Sequence, residues 1–462
     1  MQRPVRGMAA CPGRSRRRIG AADHLRDAAL DGRAAPVKPL PDGATIGVIG
    51  AGPAGTFFAL HFLKLLRESG RTARIILFDR KTFESSGPSG CNMCAGAIGG
   101  ELVKKIERLG LTLDERVVRR IADGYEIHGR DISVNILNPE RGEIYTVFRG
   151  AGPVVSPEGR KSFDQYLLDS AVAWGAEFVH ERVESFDRTA RGFRLGTDAG
   201  QTREFDFLVG AFGVNTAFTR KLASGYDPPR TWHTVQAELP ADNEFIVERL
   251  KNRIHILPAR GRAIRFLAIT PKDNFLTLTG IGEHVRIADL ERERTENPVL
   301  SGLLPPGSKV LCHCHPKVPV GFARNPVADR VAIVGDAFIS RYLKNGIESS
   351  YDTSRILAEA ILRFGISEKN LRDHFYRPCI RQFRYDNFWG RVLFGIYEGV
   401  LRKGRLSDAY LKCVSGDAAG EKGSQAHILW SVFAGDAPYR AIAREAFTPR
   451  SVIELSKGIL FG

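Results

Sequence analysis

Apolar and polar positions alternate with two different periods along this chain, and the switches between them outline its elements. Ile46, Val48 and Ile49 form a short apolar run that reads as a buried first strand, and helical spacing follows from Pro53 to about Glu68. Ala73 to Phe78 is a second run of strand character, ending at Asp79. After a loop rich in Ser, Gly and Cys (Ser85 to Gly100), helices are expected over Glu101 to Leu109 and Ser162 to Trp174. Tyr125 to Phe148 shows strand-like alternation broken by turn residues at Asn138 to Gly142, and short strands are expected over 177–179, 193–195 and 205–209. Thr231 to Gly282 holds four more strand candidates, Val235 to Leu239, Arg253 to Leu257, Ile264 to Thr270 and Phe275 to Thr279. The only helical pattern among them lies around Glu244 to Asn252, so this region is expected to be a mainly antiparallel sheet. Val331 to Val334 is one more buried strand, and the chain from Leu371 is mostly helical, with Pro449 as a break.

The first switch carries chemistry. Between the first strand and the first helix stands Gly50-Ala-Gly52-Pro53-Ala54-Gly55, a G-x-G-x-x-G in its proper setting of strand, turn and helix. Gly50 permits the tight turn, Gly52 lets backbone N–H groups approach a pyrophosphate, and Gly55 lets helix and strand pack closely. Phosphates are favoured at that helix N-terminus, where N–H groups are unpaired and the dipole is positive. Pro53 suits the first turn, because its missing N–H would be unpaired there anyway. Asp79, with Arg80 after it, closes the second strand, where an acid can accept from an adenosine ribose. Strand, turn, helix, strand and acid in this order predict a Rossmann-like dinucleotide-binding unit. Asp336 follows Val331 to Val334 and Gly335, so its carboxylate lies at a strand's C-terminal end, where it either meets a ligand or caps the next helix.

Composition narrows the class. The chain has 462 residues, enough for two or three domains, and no apolar run approaching the roughly 20 residues of a transmembrane helix. Of its net charge of +15, +6 lies in the first 40 residues, which carry nine Lys or Arg and three Asp. The rest is scattered, without a basic helix or a nucleic-acid-binding signature, so no nucleic-acid partner is expected. Arg14 to Arg18 resembles a twin-arginine signal and Met8 to Cys11 a lipoprotein site, but Asp23, His24, Arg26 and Asp27 stand where an apolar stretch would be needed. Residues 1–44 are therefore expected to be a disordered tail or the product of an early start, and the protein to be cytoplasmic.

Three further segments resemble the FAD-dependent oxidoreductases of the para-hydroxybenzoate hydroxylase-like fold, and within them the geranylgeranyl reductase family. Arg160-Lys-Ser-Phe163-Asp164 with Leu167 is similar to that family's R-x-x-F-D-x-x-L helix, whose Arg lies near the flavin. Val334-Gly335-Asp336-Ala337 resembles the second FAD fingerprint, and Lys344-Asn345-Gly346-Ile347 its G-x-G-I loop, with Lys344 in place of the first glycine. The resemblance implies an α/β fold: a Rossmann-like FAD-binding domain from 45–124, 150–230 and 325–370, an inserted, mainly antiparallel substrate domain from 125–149 and 231–324, and a helical C-terminal region, 371–462. It implies FAD held by Gly50, Gly52, Pro53, Ala54, Gly55, Asp79, Arg80, Arg160, Gly335, Asp336, Gly346 and Ile347. Where related hydroxylases carry G-A-D-G, this chain has Gly210-Ala-Phe212-Gly. Phe212 offers no carboxylate, which favours a reductase with another electron source over a hydroxylase fed directly by NADPH.

Four of the seven cysteines come in tight pairs, Cys91-Asn-Met-Cys94 and Cys312-His-Cys314. The first lies where the resembling family has a Cys-Gly-Gly segment near the flavin, so Cys91 and Cys94 are candidates for proton or electron delivery. Together Cys91, Cys94, Cys312 and Cys314 would suit an iron–sulfur cluster or a tetrahedral zinc. A redox-active thiol near the flavin, a disulfide, which the cytoplasm disfavours unless it is catalytic, and simple packing are the competing readings. Phe375, Tyr376, Phe383, Tyr385, Phe388, Trp389, Phe394 and Tyr397, interleaved with arginines, read as a helical cap on the core. They also suit a wall of an apolar tunnel, or a face for anionic lipid. The expected function is reduction of a C=C bond in an apolar, isoprenoid-like small molecule or lipid by hydride transfer from reduced flavin. A flavin monooxygenase and a non-catalytic prenyl-binding or escort protein are the alternatives, and the electron donor is left open.

Overall fold

Val48 lies near the middle of a six-stranded sheet whose order is Val327–Ala328, Val331–Ile333, Phe207–Gly210, Ala44–Ile49, Ala73–Phe78 and Glu177–Val179. All neighbours run parallel except the Val327–Ala328 edge. The structure is a computed structural model, and the residues it describes are 40–87, 95–137, 143–154, 159–215, 225–416 and 424–461. Residues 1–39 of the expected tail and the Cys91/Cys94 pair therefore lie outside the described residues, whereas Leu40 is buried in the core and Ala44 opens a strand, so the tail ends earlier than expected.

A parallel sheet covered on both faces needs apolar side chains at successive positions, which explains the continuous runs. Ile46, Val48, Ile75, Leu77, Phe207 and Val209 face a core shared with the helices Pro53–Ser69 and Gly346–Phe364. Ile49, Ile76, Phe78 and Leu208 face the antiparallel meander Val183–Arg188, Phe193–Thr197 and Thr202–Phe205. Phe57, Phe58 and Phe62 of the first helix are fully buried, each contributing about 1.5–3 kcal/mol by leaving water.

The second large sheet runs in the order Cys312–Cys314, Thr231–Pro240, Phe275–Gly282, Phe266–Lys272, Ile254–Leu257, Gly124–His128 and Ser133–Leu137, with Lys317–Pro319 also pairing on Thr231–Pro240. It is antiparallel except where Ile254–Leu257 pairs with Gly124–His128. Its inner face carries Tyr125, Ile127, Ile254 and Ile256 against Leu393, Phe394 and Tyr397 of the helix Arg377–Leu401 and against Trp430 and Phe433 of the helix Gln425–Ala434. Its outer face, with Val235, Ala237, Ile269 and Leu278, is closed by the helices Asn243–Glu248 and Ile287–Glu296. The latter helix has no counterpart in the pattern of the sequence, because it buries only Leu290 and Glu293. A small sheet of Ala97–Gly99, Ile144–Val147 and Val118–Ala122 draws strands from both sides of residue 125.

On the outer face, Glu126, His128 and His255 adjoin. His128 Nε2 lies 2.8 Å from His255 Nδ1, and His255 Nε2 is 3.0 Å from the Leu250 carbonyl. A carbonyl only accepts, so His255 Nε2 donates to it, His255 Nδ1 accepts from His128, and both rings are neutral. Burial, reinforced by the His255 ring, holds His128 down to about 4, and burial also lowers His255. Rings harder to protonate folded than unfolded contribute stability that is full above about pH 6.5 and is lost as pH falls from there towards 4. The urea midpoint should therefore fall over that window. In His128→Gln, whose amide still donates to His255, the fall should be shallower; an identical slope in the variant would speak against the neutral pair.

Candidate functional site

The C-terminal ends of the parallel strands open onto a cavity of about 840 Å³, and its opposite wall is the second sheet, through Thr234, Gln236, Thr279 and Ile281. Of the residues expected at a cofactor, Gly50, Gly52, Pro53, Ala54, Asp79, Arg80, Asp336, Gly346 and Ile347 line this cavity. Gly55 and Gly335 lie behind them and set the backbone. A Cβ at Gly55 would stand 2.0 Å from the Gly50 carbonyl oxygen, and one at Gly50 (φ +107°) would stand 2.5 Å from that of Ala211. At Gly335 (φ +65°) a Cβ would meet that of Ala54 at 2.7 Å. Gly52 differs, for a Cβ there would make only ordinary contacts, with the Arg149 guanidinium at 3.6 Å and Asp164 at 3.9 Å. No side chain caps the helix at Gly52, which leaves first-turn N–H groups available to an anion.

Asp79 accepts from the backbone N–H groups of Ala51 and Lys81, both at 3.0 Å, which ties the acid to the glycine turn. Burial pushes its carboxyl up and these two amides pull it back. Asp336 is half-buried, and its Oδ1, shielded from solvent, has no hydrogen-bond partner among the described residues. Burial pushes this carboxyl up as well, opposed by the Ser340 hydroxyl. It does not cap the next helix: Asn345 holds that position in a left-handed conformation, without a side-chain cap.

One expectation needs correction. Arg160 does not line the cavity; its guanidinium bonds the backbone carbonyls of Glu115 and Val118 and lies 3.5 Å from Asp273. The part of that motif at the cavity is Asp164, fully buried and held bidentately by Arg149 at 2.9 and 2.7 Å. Arg149, which precedes this motif, lines the cavity where Arg160 does not. Its signal in the sequence was a lone arginine just after the strand Ile144–Val147, too common a feature to stand out.

The metal expectation is not supported, and its Cys91 and Cys94 half lies outside the described residues. Cys312 and Cys314 stand opposite Glu238 and Gln236 on the edge strand of the second sheet. Among the described residues neither belongs to a cluster of three potential metal ligands. Their i, i+2 spacing puts both side chains on one face of that strand. The cluster that does exist, Glu126, His128 and His255, lies on the outer face, and its two imidazoles are turned to each other. Phe212 lines the cavity and packs edge-on to Tyr226. Among the described residues no helix is long and apolar enough to cross a membrane.

No family model matches the chain. Among curated proteins, an uncharacterised protein of Methanosarcina barkeri is 22% identical over 356 residues, covering 75% of this chain and 83% of that one. Among solved structures, a geranylgeranyl bacteriochlorophyll reductase-like protein of Thermoplasma acidophilum superposes with a TM-score of 0.63 at 14% identity, over 87% of this chain and 98% of its own. A triple variant of a flavin-dependent brominase gives 0.59 at 16% identity, over 89% and 99%. Reductase-like and halogenating proteins share this architecture, so the fold does not choose between their reactions. The chain has the Rossmann-like α/β fold of the geranylgeranyl reductase-like and related flavin-dependent oxidoreductases.

Proposed function

We propose that this protein is an FAD-dependent oxidoreductase that reduces a C=C bond of an isoprenoid-like substrate, with the six-stranded sheet holding the cofactor and the second sheet facing the substrate. The observation that carries the reading is one cavity with an open glycine turn at Gly52 and a buried Asp336 oxygen in need of a donor. That donor set suits a dinucleotide with phosphates at one place and hydroxyls at another. Gly50 to Gly55 and the helix after them would hold the phosphates, Asp79 and Arg80 the adenosine side, and Asp336 with Gly346 and Ile347 the flavin side. FAD, when bound, supplies hydride transfer; the chain orients the substrate against it and excludes water.

The test is the spectrum of protein purified without oxygen, with iron and zinc assayed on the same sample. A flavin double band, bleached by dithionite and restored by a prenyl substrate under anaerobic conditions, is the expected result. Oxygen consumption in step with NADPH would instead make it a monooxygenase, a reading that Phe212 disfavours. A colourless protein that takes up no FAD would leave the escort reading. Cys91 and Cys94 remain our candidates for proton or electron delivery, and their alanine variants should lose turnover while keeping flavin.

The helical C-terminal region supports a peripheral lipid contact. Tyr385, Phe388 and Phe447 are about half exposed, at 53%, 52% and 48%, and are linked through the Trp389 ring. Exposed Arg381, Arg384 and Arg444 lie on the same helices, the combination that suits an anionic surface. Phe388→Ser should weaken co-sedimentation with vesicles containing phosphatidylglycerol by about tenfold, the order expected for one buried aromatic side chain. Equal sedimentation of variant and wild type would remove the contact.

A further inference from the structure

We infer that Glu126, His128 and His255, on the outer face of the second sheet, bind a divalent transition-metal ion through one carboxylate oxygen and two imidazole nitrogens. The ion clips the sheet together at the seam where two strands run parallel. The site lies on the face turned away from the cavity and is separate from the cysteines.

The register brings the three side chains to one place. Ile254–Leu257 pairs in parallel with Gly124–His128, and His255 stands directly opposite Glu126. His128 follows Glu126 by two residues and so projects on the same side. Away from this seam the face is apolar, for the next residue across from His255 is Ile269, and Leu278 follows it. Packing against the covering helices would be served by more of the same. Two imidazoles and a carboxylate carry a desolvation cost that apolar side chains avoid.

The spacing fits one ion. Ligand atoms on a tetrahedral zinc, at bonds of about 2.0–2.1 Å, stand about 3.3 Å apart. His128 Nε2 and His255 Nδ1 are 2.8 Å apart, and a carboxylate oxygen of Glu126 lies within 4.8 Å of both. Small side-chain rotations bring all three to one centre. Each flanking contact also holds a ligand in position. His255 Nε2 donates to the Leu250 carbonyl at 3.0 Å, which leaves the Nδ1 lone pair turned towards His128 and Glu126. The Ser133 hydroxyl donates to Glu126 Oε1 at 3.0 Å and Arg253 to Oε2 at 3.3 Å. Each of these oxygens keeps a second lone pair.

In metal-free protein the rings share a hydrogen bond; the ion takes the place of its proton, and His128 keeps its one proton on Nδ1. His255 is 1% exposed but the Glu126 side chain 17%, so the cluster reaches solvent on the Glu126 side, where water fills the fourth position. Imidazole with carboxylate suits zinc and its first-row neighbours, whereas Mg²⁺ and Ca²⁺ take oxygen ligands. His128 and His255 are 127 residues apart, and a clip that closes a long loop gains the most.

The experiment measures Zn²⁺ uptake by equilibrium dialysis, and the urea midpoint, on the full chain, with Mg²⁺ as the contrasting ion. Wild type is expected to take up one equivalent at this site and to gain stability as Zn²⁺ rises, but not as Mg²⁺ rises. His128→Gln, whose amide still donates to His255, should bind that equivalent at least about a hundredfold more weakly, since even groups outside the coordination shell are worth about 10–100-fold. Glu126→Gln, which keeps the side chain's shape, should weaken it in the same direction. Cys312→Ser with Cys314→Ser should retain it. No uptake by wild type, equal uptake by wild type and His128→Gln, or loss of the equivalent in the cysteine variant overturns the inference. So does a gain in stability with Mg²⁺ equal to that with Zn²⁺.

Discussion

Gly55→Ala should lose both cofactor and stability, whereas Gly52→Ala should lose the cofactor alone. The two glycines stand three residues apart in one motif, but their surroundings differ. A methyl group at Gly55 would lie 2.0 Å from the Gly50 carbonyl oxygen, a backbone atom that cannot turn aside. The first helix must then lift from the first strand, where Phe57 and Phe58 are fully buried. Overpacking of this kind costs about 1–3 kcal/mol, and a clash with backbone belongs at the upper end. At Gly52 (φ −70°) alanine fits both the backbone and the space, since nothing lies closer than 3.6 Å. The new methyl group would instead occupy the surface that a pyrophosphate must approach. Urea melts and FAD titrations on both variants check the pair. A destabilised Gly52→Ala, or a Gly55→Ala of wild-type stability, would contradict the account.

Arg149→Met is the second large effect. Asp164 is fully buried and Arg149 holds both of its oxygens, with 22% of the arginine side chain exposed. Removing the guanidinium strips a buried carboxylate of its counter-charge, and breaking such a pair from one side costs about 3–5 kcal/mol. Asp164→Asn should cost less, because the arginine left behind reaches solvent and the amide oxygen still accepts from it. Arg149 also flanks the open side of Gly52, so Arg149→Met should weaken FAD binding in protein that remains folded. Thermal melts with FAD content measured on the same samples test both parts; equal stability of the two variants would mean that the ion pair is not what holds this corner.

Residues whose role follows from local backbone needs were legible in the sequence. Gly50, Gly52 and Gly55 announce their turn because few other residues permit it, and Asp336 announces itself by ending an apolar strand. Arg160 was misread because the motif names it first, while the backbone just before Ser162 turns its side chain towards Asp273 and leaves Asp164 at the cavity. Thr234 and Thr279, on the cavity wall, were hidden for another reason. Their importance depends on which strand lies beside which, and a shift of one residue in register would send each side chain to the opposite face. The C-x-C of Cys312 and Cys314 fits ligand spacing and strand alternation equally well, because a strand sets both thiols on one face.

The cavity walls come from segments hundreds of residues apart, and this bears on the order of events during synthesis. The Ser354 hydroxyl donates to the Ala54 carbonyl, a separation of 300 residues, and Tyr125 donates to the Phe433 carbonyl, a separation of 308. Translation proceeds at about 5–20 residues per second, so the glycine turn leaves the ribosome tens of seconds before Asp336 and the C-terminal helices can close over it. During that interval the nascent chain has half of a nucleotide pocket and an uncovered sheet face bearing Tyr125, Ile127 and Ile256. The cofactor must therefore join a nearly complete chain, and a chaperone that shields apolar strands has its opening before that point.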